Sequence, residues 1–142
     1  MLHRFEHLGV SFRYPAGWQL EREAVDDGWS ISLQSPGTAF LLLRYDESMP
    51  TIEDMASTAL QALETDYPEL EANPCIEKLA GQMAVGHDIQ FFHLDLTNTC
   101  WTRSFYSDSG TLLVLCQTSD LEADAYLPDL KAVCESLAIK EP

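Results

Sequence analysis

The feature that most constrains this chain is a change in hydrophobic period partway along it. Between Gly9 and Tyr45 apolar residues recur mostly at every second position: Val10, Phe12 and Tyr14, then Trp18, Leu20 and Ala24, then Trp29, Ile31 and Leu33. Such alternation sends one face of an extended chain into a core and leaves the other in water, so it specifies half-buried strands. Turn signals punctuate it at Tyr14-Pro15-Ala16-Gly17, Asp26-Asp27-Gly28 and Ser35-Pro36-Gly37-Thr38. Pro and Gly at these offsets suit type I and type II turns, and connections this short predict antiparallel neighbours. The run Phe40 to Tyr45 begins apolar on both faces, which predicts a strand covered from both sides.

At Thr51 the period becomes helical. Ile52, Met55, Ala56, Ala59, Leu60 and Leu63 form one stripe, Thr51 is a suitable N-cap, and Glu53 and Asp54 suit the positive end of the helix dipole. This helix must stop before Tyr67-Pro68. Strand character returns at Cys75 to Leu79, Gln82 to Leu94, Thr97 to Ser107 and Thr111 to Thr118. A second helical stripe, Ala123, Tyr126, Leu127, Leu130, Val133, Cys134 and Leu137, follows Asp120 as its cap, with Pro128 expected to kink or divide it. No repeat or linker interrupts residues 1–142, which read as a single domain. The order ββββ-α-ββββ-α predicts the α+β class, as a three-layer α/β/α sandwich around a mostly antiparallel sheet.

Charge narrows the function. The 142 residues carry 23 acids against 8 Lys and Arg, a net charge of −15, which argues against a nucleic-acid partner because phosphate contacts need clustered cations. Neither Ala39–Leu43 nor Leu112–Cys116, the longest apolar runs, approaches the roughly 20 residues of a membrane helix, so no membrane role is expected. The opening MLHRFEHLGVSF lacks the apolar stretch of a signal peptide, which predicts a protein that is cytoplasmic or has lost its leader. Cysteines at 75, 100, 116 and 134 include no C-x-x-C pair, and reduced, buried thiols are expected. Glycine spacing excludes the G-x-G-x-x-G and G-x-S-x-G motifs, and Gly81 to Gly86 is followed by His87-Asp88 where a phosphate-binding loop needs Lys and Ser or Thr.

The element order, together with Gly9-Val-Ser-Phe-Arg-Tyr14-Pro15-Ala-Gly17-Trp18, Ala80-Gly81-x-x-Ala84 and the closing Glu135-Ser136-Leu137, resembles the fold family of the photosystem II extrinsic protein PsbP and the Ran-binding nuclear import protein of yeast. The resemblance extends to bacterial members, including Eag-type chaperones of secretion effectors. It implies binding rather than catalysis, and it supplies no catalytic residues, metal ligands or cofactor.

Two functional readings follow. In the first, the protein is a non-enzymatic binding module, an adaptor or chaperone for a secreted effector. Trp18, Trp29, Phe91, Trp101, Phe105 and Tyr106 would then anchor a protein partner along an uncovered sheet face. Nine acids with no Lys or Arg lie between Asp46 and Glu77, Glu64, Glu69 and Glu71 among them, and would steer a basic or apolar helical segment. Their ordinary role is solubility. In the second reading, His87 and His93 on one strand face, with Cys100 nearby, form the pocket of a small enzyme or ligand-binding protein. Either reading accommodates a monomer or a homodimer.

Overall fold

The computed structural model describes residues 1–140. It contains β1 (Leu2–His7), β2 (Val10–Pro15), β3 (Gln19–Val25), β4 (Gly28–Gln34), β5 (Phe40–Asp46), α1 (Ile52–Asp66), β6 (Glu71–Leu79), β7 (Gln82–His93), β8 (Leu96–Tyr106), β9 (Thr111–Ser119), α2 (Ala123–Ser136) and β10 (Ala138–Ile139). Seven strands form one antiparallel sheet in the order β3-β4-β5-β9-β8-β7-β6, and β1-β2-β10 form a second. Two meanders, β3 to β5 and β6 to β9, meet where β5 pairs with β9. The α+β class and the antiparallel sheet agree with the sequence pattern.

Alternation along β9 defines the layers. Val114 and Cys116 belong to the larger core with Leu130, Val133 and Cys134 of α2 and Phe12 of β2. Leu115, pointing the other way, packs with Leu60 and Leu63 of α1, Ile89 of β7 and Cys100 of β8. Thus α1 covers one face of the large sheet, while α2 and the small sheet cover the other. Thr51 caps α1 as expected, its Oγ1 accepting the Asp54 N–H at 3.1 Å.

Several details differ from the sequence reading, a short closing strand β10 after α2 among them. The Pro15–Trp18 turn is not a hairpin: β2 pairs with β1 and β10, and the chain passes there into the large sheet, with Trp18 buried at the corner. Strand β1 escaped notice because Phe5 is its one buried residue, stacked on Phe12 at 4.9 Å, and the rest is held by backbone pairing to β2. Strand β6 starts at Glu71, earlier than expected, because an exposed edge strand shows little alternation. Finally, α2 runs unbroken through Pro128 from N-cap Glu122, and Asp120 instead accepts the Thr99 hydroxyl at 2.7 Å.

Candidate functional site

The aromatic residues expected to line one open groove are divided between opposite faces. Trp18, Trp29 and Phe105 lie in the larger core and Phe91 in the smaller, so none of these four is available to a partner while the protein is folded. Tyr106 is half-buried on the α1 side, its hydroxyl accepting the Ile52 N–H at 3.2 Å. Trp101 is half-buried against the larger core. The physical reason is parity: pairing places Trp29 beside Tyr45, Tyr45 beside Leu112 and Leu112 beside Phe105, one inward row across four strands.

His87, His93 and Cys100 do not converge. The histidines share a strand face but stand six positions apart on β7, about 20 Å at strand rise, and Cys100 lies opposite Ile89 between them. Burial pushes the Cys100 thiol up to about 12, which keeps it protonated and a poor nucleophile. Among the described residues no group of three His, Cys, Asp or Glu side chains is placed to hold a metal ion.

One open feature is a cleft of about 600 Å³ formed by the end of α1, the following loop, the start of β6 and the tip of β7. Its construction follows from Pro68. Tyr67 closes the helix by donating its N–H to Leu63 O at 2.7 Å, adopts the non-helical backbone expected before proline, and its carbonyl receives the Leu70 N–H at 3.0 Å. The turn brings Tyr67 onto Phe91, with ring centroids 3.9 Å apart and planes 18° from parallel. His93 meets the Tyr67 ring edge-on at 5.5 Å. Asp66, Glu69 and Glu71 supply exposed carboxylates, and no Lys or Arg lines the cleft. Phe92, at its border, is 73% exposed, and Leu94 on the adjoining hairpin tip 82%.

This cleft joins four residues named from sequence, Phe91, His93, Glu69 and Glu71, with Phe91 as buried floor rather than exposed anchor. Glu64 is exposed near the end of α1, outside the lining. Sequence reasoning missed Tyr67 as a wall of the site, although the Tyr-Pro stop signal marked where the chain would turn.

A second cleft, of about 440 Å³, lies beside α2 and contains an ionic tie that sequence reasoning also missed. The Arg103 side chain, 7% exposed, donates to Asp88 Oδ1 at 2.8 Å and to the carbonyls of His87 and Thr102, with Nε 3.2 Å from Glu77 Oε1. Gly86 sits between Cys75 and Arg103 in the ladder and leaves the path across β7 clear. It is also the residue this site requires, because a Cβ there would fall 1.8 Å from the Thr102 carbonyl oxygen. Burial lowers the Arg103 pKa, but the Asp88 hydrogen bond and the neighbouring carboxylates outweigh it and raise the value, so the guanidinium stays charged. With Nη1 and Nη2 hydrogen-bonded within the protein and Nε facing the Glu77 carboxylate, Arg103 ties β6, β7 and β8 together rather than offering an anion site.

No protein-family model matches the sequence, and no curated protein matches it. Solved structures do share its architecture. The solution structure of cyanobacterial PsbP (CyanoP) from Synechocystis superposes with a TM-score of 0.71 at 14% identity, covering 97% of this chain and 92% of that one. The fold is PsbP-like. A protein of unknown function from Pseudomonas aeruginosa, PA94, superposes at 0.59 with 14% identity over 99% of both chains. LpqN, involved in cell envelope biogenesis of Mycobacterium tuberculosis, superposes at 0.57 with 11% identity, covering 99% of this chain and 91% of that one. These identities carry the fold and no activity. The finer likeness to Eag-type chaperones stands on the sequence motifs alone.

Proposed function

We propose that the protein is a non-enzymatic binding module that receives a basic, partly apolar segment of a protein partner in the cleft between α1 and β7. The observation that carries this reading is the composition of the cleft: stacked aromatic rings behind a rim of carboxylates, with no Lys or Arg among its lining residues. Exposed Phe92 and Leu94 offer apolar contact beside it. Carboxylates unpaired by local cations act chiefly on encounter, and apolar contacts retain the complex afterwards. An adaptor or chaperone role is the form this takes when the bound segment belongs to a secreted effector. Four free thiols favour a reducing, cytoplasmic setting for it.

A synthetic amphipathic peptide of Lys and Leu is a suitable probe. Stopped-flow association should slow about 10-fold when Glu64, Glu69 and Glu71 are all replaced by Gln, with a smaller change in dissociation. Raising salt from about 0.01 M to about 1 M, which shortens the Debye length from about 30 Å to about 3 Å, should slow the wild type in the same way. An association rate indifferent to both changes would leave the acidic segment as a solubility device.

A further inference from the structure

Two cysteines from different layers of the fold face each other across the larger core. Cys116 lies on the central strand β9 and Cys134 near the end of α2, and their Sγ atoms are 3.5 Å apart. Both are free and buried, and no further metal-ligating group completes a site around them among the described residues. A disulfide needs sulfurs about 2.05 Å apart, so bond formation requires a closure of roughly 1.5 Å, within reach of small side-chain rotations and a slight shift of one helical turn. The last turn of α2 is fastened to β2, where the Arg13 N–H donates to Ser136 Oγ at 2.8 Å and β10 follows at once, so the closure falls mainly to rotation of the two side chains.

We propose that Cys116 and Cys134 are a redox-responsive pair that closes into an intramolecular disulfide, fastening α2 to the centre of the large sheet when the protein meets a small-molecule disulfide oxidant. The two thiols have different parts. Burial pushes the Cys116 thiol well up, so it keeps its proton, whereas the contact with Cys116 lowers the Cys134 thiol. Cys134, at 8% exposure against 0% for Cys116, is also the one that opening of the last helical turn uncovers. The Cys134 thiolate attacks one sulfur of the oxidant, forming a mixed disulfide and expelling one thiolate. Cys116 then loses its proton and attacks Cys134 Sγ, expelling the second. Two protein thiols are oxidised to one disulfide, and one oxidant disulfide is reduced to two thiols. The new bond closes a loop between positions 18 apart, which restricts the unfolded chain.

The test incubates the intact protein with oxidised glutathione, quenches with an alkylating reagent and digests without reduction. The expected product is a Cys116–Cys134 cross-linked peptide, with an intact mass lower by about 2 Da once half-exposed Cys75 is removed as Cys75→Ala. The thermal midpoint of the oxidised form should rise by about 5 to 10 °C and return on adding dithiothreitol. Cys134→Ala should abolish the mass loss. If Cys116 and Cys134 are both recovered alkylated after unfolding, with glutathione adducts as the only oxidation products, the proposal is wrong. That peptide map of the wild type decides the matter even if Cys134→Ala folds poorly.

Discussion

Phe105→Ala is expected to destabilise the protein by about 3 to 5 kcal/mol, as removal of a fully packed aromatic ring does. Phe105 is 0% exposed and stands beside Leu112 in the inward row that also contains Tyr45 and Trp29. That row is closed beyond Tyr45 by the stacked Trp29 ring, with centroids 5.3 Å apart, so neighbours have little freedom to collapse into the space left behind. Urea unfolding at 25 °C measures the loss. The same substitution separates two roles for the residue. A docking anchor would weaken partner binding while costing less than about 1 kcal/mol of stability, the range of a surface change. The packing predicts the reverse.

Leu130→Ala should cost about 2 to 5 kcal/mol. Leu130 is a fully buried residue of the α2 stripe, flanked by buried Val133 and Cys134, and the helix reaches both β2 and β9. Truncation there opens space in the larger core, which residues of both sheets line. The helix has little intrinsic support to offset this, since Pro128 removes a backbone donor from its interior and Glu122 makes no cap bond to it. The Glu122 carboxylate is engaged elsewhere, accepting from the Thr38 hydroxyl at 2.6 Å and the Thr38 N–H at 3.0 Å. A loss below about 1 kcal/mol in chemical denaturation would mean that another face of α2 carries the packing.

Elements with an unambiguous period and clear stops were legible in the sequence. Thr51 and Pro68 bracket α1, and the β7 to β9 run is long enough for its alternation to set the buried faces. Strands with a single inward side chain were not legible, β1 being the example, because one Phe5 among His3, Arg4, Glu6 and His7 makes no pattern. The split into two sheets at Pro15 was hidden for a different reason. A tight turn fixes the local direction of the chain and leaves open whether its flanking strands pair.

The candidate site shows the same division. Glu69 and Glu71 stood out by charge, and Phe91 by its strand face. The stacking of Tyr67 on Phe91 depends on how α1 returns across β7, a long-range packing outcome that no local period encodes. Likewise the Glu77–Arg103–Asp88 tie needs the registers of β6, β7 and β8 together, and in sequence Arg103 is a single cation within an otherwise unremarkable strand. The inward stripes of Cys116 and Cys134 were visible, whereas their approach to 3.5 Å was not.

The central claim is that a basic, partly apolar segment docks in the cleft bordered by Tyr67, Glu69, Glu71 and Phe92. Its most direct test is a backbone-amide NMR titration of the isotopically labelled protein with the Lys–Leu peptide at low salt. Saturable shifts should concentrate in residues 66–71, 90–93 and 97, with aromatic resonances of Tyr67 and His93 moving alongside, while amides of β3 and β4 stay in place. Shifts centred on another surface, or weak shifts spread over all exposed acids without saturation, would contradict it.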